Sequence, residues 1–425
     1  MRPKESFKIA IIGLGYVGLP LARLFLEKGH TVFGVDSSES KIQKLQRMQP
    51  YLSDMTSMDL KEMFAGGKFH VGVSYESIPE ADCVILCVPT PTTEEFMPDL
   101  TFVFQAMRQA VPYLREGQLI VLESSTYPGT TEEELKPIIE QRGLRVGKDV
   151  YLAYSPERIN PGQKASDLKS IPKVLGGVTT ECTQQAKRIY ASVFDQVVPV
   201  SNPRTAELTK LVENCQRFIN ISFMNDLVKF CDTMEINLWE VINAAGTKPY
   251  GFMAYYPGPG VGGHCIPVDP MYLLWKANQY GIKMPFIELS HQVNEGMPEY
   301  IVARTAKSMF PLSLDQCSIM AVGVTYKKDV NDVRESMALK VIERLMQQGA
   351  QVSFFDPYIT ELSIAGTKLE RSALTAENVN EKDCLLILTD HSTINYEELA
   401  QHAKLIVDLR NATDCVKDKS NIVLL

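Results

Sequence analysis

Residues 257–270 read PGPGVGGHCIPVDP, which packs four glycines, four prolines, a histidine, a cysteine and an aspartate into fourteen positions. No helix or strand needs that composition. Gly opens conformations closed to other residues or lets a ligand come close, while Pro stiffens what remains. An ordinary rigid loop fits this make-up, and so does a frame that presents one thiol, Cys265, for chemistry. A second set is GLGYVG, with Gly13, Gly15 and Gly18, followed by Asp36 eighteen residues beyond Gly18. Between a strand and a helix, this spacing cradles a pyrophosphate. Gly13 permits the tight turn, Gly15 lets backbone N–H groups meet the phosphates, and Gly18 permits close helix packing. Asp36 would accept hydrogen bonds from ribose hydroxyls and repel a 2′-phosphate, so the expected cofactor is NAD rather than NADP. Lys210 and Asn214 lie four apart, hence on one helix face. Spacing alone leaves that pair readable as a solvated polar stripe.

The elements that must position these residues follow from hydrophobic periodicity. KIAIIGLG reads as a strand and turn, GLPLARLFLEKG as a helix ending at Gly29, and TVFGVD as a second strand. DCVILCVPTP and QLIVLESST continue the series, which predicts a parallel sheet with ligand chemistry at the carboxyl ends of its strands. After Pro203 a long segment without Pro or Gly repeats its apolar residues at helical spacing, and more helix is expected at 236–246, 271–280 and 285–309. The first pattern then returns in CSIMAVGVTYK, SMALKVIERLMQQG, AQVSFFDP, DCLLILTD and KLIVDLR. The expected fold is α/β, with two Rossmann-like α/β domains joined by a central helical region. The boundaries are 1–202, 203–300 and 301–425.

Composition narrows the function. A formal charge of −8 over 425 residues argues against a nucleic-acid partner, because neutralising phosphates takes a basic surface. Nine scattered cysteines, many inside apolar runs, suit buried thiols in a reducing cytosol better than a disulfide framework, and they lack the paired spacing of a zinc site. No apolar run approaches about 18 residues, so no membrane span is expected. The start imitates a signal peptide, but Arg23 and the glycines interrupt it and no cleavage site follows. The expected location is cytoplasmic.

Taken in order, GLGYVG, CVPTP, ESSTYPGTT, YSPERINPG, AELTKLVEN, GVGGHCIPVDP, GVTYKKDVNDVRES and VDLR resemble the UDP-glucose/GDP-mannose dehydrogenase family over nearly the whole length. That resemblance implies oxidation of the C6 hydroxymethyl of a nucleotide sugar to a carboxylate, using two NAD. SPERINPG and the stretch around GGHCIPVDP look most like the UDP-N-acetylglucosamine 6-dehydrogenase branch. By resemblance, Cys265 captures the aldehyde as a thiohemiacetal that becomes a thioester. His264 shapes the loop. Asp269, which the sequence alone reads as an N-cap before Pro270, gains a role in proton handling. Lys210 and Asn214 become oxyanion and substrate ligands, while Thr126 and Glu157 hold and activate the hydrolytic water.

The implied cofactor set is Gly13, Gly15, Tyr16, Val17, Gly18, Asp36, Lys41, Pro89, Thr90, Thr126 and Arg334. The implied substrate set is Glu157, Arg158, Lys210, Asn214, Tyr256, Gly262, Lys327 and Arg410. The chain departs from the family pattern at Pro161, where many UDP-glucose enzymes carry a second glutamate, and at Arg158, where they carry an aromatic. A homodimer or higher homo-oligomer is implied. The alternatives are UDP-glucose, UDP-N-acetylgalactosamine or UDP-N-acetylmannosamine as substrate, a two-electron hydroxyacid-type dehydrogenase, and a non-catalytic NAD-binding protein.

Overall fold

A computed structural model describes residues 6–52, 55–93, 97–158, 165–263 and 266–425. His264, Cys265 and Pro161 therefore lie outside the described residues. The chain forms two compact units, one from Met1–Glu213 with Met271–Ile282, the other from Asn214–Pro270 with Lys283–Leu425.

The first unit is built on eight strands: β1 (Lys8–Ile12), β2 (Thr31–Val35), β3 (Phe69–Gly72), β4 (Cys83–Leu86), β5 (Leu119–Leu122), β6 (Tyr151–Tyr154), β7 (Lys173–Gly177) and β8 (Val197–Pro199). Their order is β3-β2-β1-β4-β5-β6-β7-β8. Every pairing is parallel except β6 with β7, and Ile9 pairs with Val32 on one side and Cys83 on the other. Such strands are covered on both faces and read as continuous apolar runs. In β1, Ile9 and Ile11 join the core on one face, while Ala10 and Ile12 join the core on the other. Strand order reverses between β1 and β4, so the crevice at their carboxyl ends is a topological switch point. The helix Gly18–Glu27 ends as its sequence predicts, with Gly29 at φ +89°.

The second unit carries β9 (Ser318–Val322), β10 (Gln351–Phe355), a hairpin of β11 (Glu361–Ile364) and β12 (Thr367–Glu370), then β13 (Cys384–Ile387), β14 (Ile406–Asp408) and β15 (Ile422–Leu424). Five of these form a parallel sheet in the order β10-β9-β13-β14-β15, with its own switch point between β9 and β13. Its core takes Met224 and Val228 from the central helix and Met297 and Ile301 from the helix Pro285–Met309, packed with Ile319, Val341 and Leu386. The central helix, Pro203–Thr233, is 31 residues long. Among the described residues, no helix is long and apolar enough to cross a membrane.

The α/β architecture with two Rossmann-like sheets is thus the one the sequence predicts. The hairpin of β11 and β12 and the edge strand β15 are additions to it.

Candidate active site

The turn after β1 has the geometry a dinucleotide requires. Gly13 sits at φ +95° and donates its N–H to Val35 O at 2.7 Å. A side chain there would approach Cys87 O to 2.6 Å. A Cβ on Gly18 would overlap the Gly13 carbonyl, whereas one on Gly15 would meet no atom within 4 Å. Gly15 therefore faces open space at a helix N-terminus, where unpaired N–H groups favour an anion. Tyr16 and Val17 lie beside it, partly buried against the core.

Asp36, just past β2, is 5% exposed. Its Oδ2 accepts from Leu14 N at 3.0 Å and Lys41 Nζ at 3.3 Å, and its Oδ1 accepts from Ser38 N at 2.9 Å. Two backbone donors fix the carboxylate and leave Oδ1 with acceptor capacity for a ribose hydroxyl. After β4, Pro89 is exposed and Thr90 buried, and the carbonyls of Thr90 and Pro91 accept from Tyr272 OH at 2.6 and 3.0 Å. These residues fit NAD.

Other expected residues of the first unit stand at the carboxyl ends of β5 and β6. Thr126 is fully buried, 2.5 Å from the Thr130 hydroxyl. Thr130 donates its proton to Tyr127 O at 2.9 Å, so Thr126 is the donor between the two hydroxyls and keeps its lone pairs for another group. Glu157 is 9% exposed. Arg158 forks onto Glu213 at 2.7 and 3.2 Å and donates to Pro172 O at 2.9 Å. Lys210, in the central helix, is 8% exposed, and no ion pair of its ammonium is formed among the described residues.

Two buried clusters escaped the sequence reading. Lys173 donates to Glu123 at 2.7 Å and to Pro156 O at 3.3 Å, and Tyr190 OH also donates to Glu123. Burial works against the Lys173 charge, but the Glu123 and Glu157 carboxylates outweigh it and hold its pKa above the ordinary value. Glu207, one helical turn before Lys210, is 0% exposed. It accepts from Gly129 N at 2.6 Å, Thr131 N at 2.9 Å and the Thr131 hydroxyl at 2.7 Å. Burial nonetheless pushes its pKa up to about 7. Nothing local in AELTKLVEN marks Glu207, because its partners lie 76–78 residues away.

In the second unit, Asn214 Nδ2 donates to Asp269 Oδ2 at 2.5 Å across 55 residues of sequence. Asp269 is 1% exposed and opens the helix Asp269–Gln279, as the Asp-Pro pair predicts. Burial, then the Asp269 charge, pushes the neighbouring Cys215 thiol up to about 12, so it stays protonated. The eight described cysteines are free, seven of them buried.

The glycine loop is explained largely by the protein's own packing. A Cβ on Gly258 would strike the Arg410 guanidinium, one on Gly262 would meet Glu335 O at 2.6 Å, and one on Gly263 the Tyr326 ring at 2.7 Å. Two buried asparagines pin the same loop, Asn225 accepting from Gly258 N at 3.0 Å and Asn294 from Val261 N at 3.1 Å. Gly262 and Arg410 also line a crevice with Thr325 and Thr389, at the switch point of the second sheet. Tyr256 is 43% exposed and stacks on Trp239, with centroids 5.1 Å apart. Burial, then the charges of Arg217 and Lys328, lowers the Lys327 pKa. Arg334 is exposed and forks onto Asp332 at 2.7–3.1 Å. A cavity of about 380 Å³ lined by Trp239, Asn243, Asn411 and Lys419 includes none of the expected site residues.

The second sheet repeats the first in detail. Gly323, at φ +78°, donates to Phe355 O at 2.8 Å, as Gly13 does to Val35. Asp356 accepts from Val324 N and Tyr358 N, both at 2.8 Å, as Asp36 does from Leu14 and Ser38. The third partner differs. Where Asp36 meets a part-exposed lysine, Asp356 accepts at 2.9 Å from His391, which is 0% exposed. His391 Nδ1 accepts from Asp329 N at 3.1 Å, so its proton sits on Nε2 and points at Asp356.

A Gly-rich turn at the switch point of a parallel sheet, with a fixed carboxylate after the second strand, defines a dinucleotide-binding Rossmann protein. A second nucleotide-type sheet follows in the same chain. The chain belongs to the UDP-glucose/GDP-mannose dehydrogenase family: its NAD binding domain matches residues 7–194, its central domain 204–296 and its UDP binding domain 320–415. The chain is accordingly an NAD-dependent nucleotide-sugar dehydrogenase, an oxidoreductase. It is 35% identical to a UDP-N-acetyl-D-mannosamine dehydrogenase of Methanococcus maripaludis, over 90% of this chain and 86% of that one. It is 32% identical to a UDP-N-acetyl-D-glucosamine 6-dehydrogenase of Pseudomonas aeruginosa, over 99% and 100%. The structure of a UDP-D-ManNAc dehydrogenase from Pyrococcus horikoshii superposes with a TM-score of 0.88 at 30% identity, covering 98% of each chain.

Proposed function

We propose that the chain oxidises the C6 hydroxymethyl of a UDP-N-acetylhexosamine to the uronic acid, a four-electron reaction, with UDP-N-acetylglucosamine as the first candidate substrate. The observation that carries the reading is the 2.5 Å hydrogen bond between Asn214 and Asp269, two residues singled out from the sequence for one reaction. That bond uses one amide proton of Asn214 and fixes the plane of the amide, leaving the second proton for an oxyanion. Lys210 supplies the positive charge that stabilises the alkoxide and then the tetrahedral intermediate. Bound NAD supplies the hydride acceptor.

Cys265 adds its sulfur to the aldehyde carbon, and loss of a second hydride leaves a thioester. Glu157 takes a proton from a water that Thr126 orients through its free lone pairs; the water attacks, the C–S bond breaks and the thiolate returns. Arg410 and Lys327 are read as contacts to the nucleotide sugar, and Arg334 as one to the cofactor phosphates. UDP-N-acetylmannosamine is the second reading, favoured by the relatives that carry that sugar in their names. We read the protein as a cytoplasmic homodimer or higher oligomer. In the second unit Phe223, Phe230, Met234, Phe286 and Leu289 are 56–73% exposed, an apolar area suited to a second copy.

The test is NADH yield per sugar across UDP-glucose and the three UDP-N-acetylhexosamines, with Cys265→Ser followed by intact mass. Two NADH per sugar and a covalent sugar adduct are expected. One NADH per sugar would indicate a two-electron dehydrogenase, and an unimpaired Cys265→Ala would make the thiol structural.

A further inference from the structure

With Thr126 on the water and Lys210 on the oxyanion, a loop hydroxyl and a helix ammonium must keep a fixed relation. Thr126 stands in the irregular segment after β5, and loops of this kind are the mobile parts of an α/β scaffold. Glu207 bridges that segment and the central helix within the first unit. All three of its hydrogen bonds go to Gly129 and Thr131, which begin the helical turn Thr130–Leu135. Thr130, between them, bonds the Thr126 hydroxyl at 2.5 Å. The same carboxylate is carried one turn before Lys210 on the central helix, so the link runs to Thr126 through Thr130 at one end and shares the helix of Lys210 at the other.

We propose that Glu207 is a positioning residue: its buried carboxylate clamps the Thr126–Thr131 segment to the helix that carries Lys210. The charges around it are arranged for holding rather than for chemistry. Glu132 and Glu133, on the clamped turn, are neutralised by Arg204 at 2.9 and 3.3 Å and, for Glu133, by Lys276 at 2.8 Å. Glu207 is left with backbone and hydroxyl donors, which set a direction as well as an energy.

The proposal rests on the assigned role of Thr126, so the experiment separates the two. Glu207→Gln, Thr126→Ala and the double variant are compared for kcat, for KM toward NAD and sugar, and for NAD affinity. Glu207→Gln keeps the side-chain volume but offers one acceptor oxygen in place of two. It should lower kcat about 10- to 100-fold, as a displacement of order 1 Å does, with KM for NAD within about twofold of the parent. The double variant should be no slower than the worse single variant, because two residues that act as a unit lose their function once. Thr131→Val, which removes one of the three donors, should give a smaller fall with the same non-additivity and serves if Glu207→Gln does not fold.

If Thr126→Ala impairs the enzyme and Glu207→Gln leaves kcat unchanged, the clamp is refuted while the water assignment stands. If the losses multiply, Glu207 acts elsewhere and the proposal is again refuted. A parent-like Thr126→Ala removes the water assignment, and the clamp falls with it.

Discussion

Replacing Lys173 by Met leaves the Glu123 carboxylate buried without its ammonium. Glu123 is 0% and Lys173 4% exposed, and the pair is closed at 2.7 Å. Removing one member of such a pair costs about 3–5 kcal/mol, whereas replacing both by neutral groups of similar volume is near neutral. The variant also loses the contacts of the ammonium with the Tyr190 and Phe194 rings, 5.5 and 5.4 Å from their centroids. Lys173→Met should therefore destabilise the first unit by about 4 kcal/mol. Glu123→Gln/Lys173→Met keeps an acceptor for Tyr190 OH and should recover at least about 2 kcal/mol of that loss. The two tryptophans make the assay selective. Trp275 packs against Tyr127 inside the first unit, with ring centroids 4.8 Å apart, so in a Trp239→Phe background its fluorescence reports that unit in a urea titration. A loss below about 1 kcal/mol for Lys173→Met, or a double variant weaker than the single one, would refute the reasoning.

Three further outcomes are expected. Gly15→Ala should fold as the parent does yet bind NAD at least about tenfold more weakly, a loss of about 1.4 kcal/mol. Gly18→Ala, whose Cβ would overlap the Gly13 carbonyl, should instead lose stability; calorimetry with NAD titration distinguishes the two, and parent-like binding by Gly15→Ala would contradict the cradle. NAD should be strongly preferred over NADP in kcat/KM because of Asp36. Lys41→Ala should raise KM for NAD only a few-fold, since an ion pair with a lysine 41% exposed is weak. Burial lifts Glu207 from 4.5 to about 7, so the folded chain holds more protons than the unfolded chain between those values. Stability should then fall as pH rises through that window, by at most about 3 kcal/mol, and this component should vanish in Glu207→Gln when both are unfolded in urea at several pH values.

The elements and the cofactor turn were legible in the sequence because both are local. Short continuous apolar runs mark the buried strands, and three glycines with a carboxylate after the next strand mark a cradle. Asp269 was legible twice, as a helix opener and as a family residue, but its contact with Asn214 was not. What escaped is held together by partners far apart in the chain. Glu123 meets Lys173 across 50 residues, Glu207 meets Thr131 across 76, and Asn225 meets Asn294 across 69. A buried charge or amide in an apolar segment is the signal that could have pointed to them, since such groups are rarely buried without partners. The loop glycines show the limit most clearly. The sequence says that something must come close to Gly258, Gly262 and Gly263, and the structure supplies Arg410, Glu335 and Tyr326.

The sealed carboxylate of the second sheet bears on the order of events in turnover. Asp356 has the backbone frame of Asp36, but a fully buried histidine fills the side on which Asp36 meets only a part-exposed lysine. Asp356 is moreover 0% exposed, so the second unit presents no accessible carboxylate to an adenosine ribose at that position. On the four-electron reading, both oxidant molecules must pass through the cradle at Gly15 in succession. The half-oxidised sugar has to wait while a spent carrier departs and a fresh one arrives, which gives a covalent tether a purpose beyond chemistry. It also opens a midpoint at which NADH can re-enter the cradle, so the flux past that midpoint would follow the ratio of reduced to oxidised carrier in the surrounding solution.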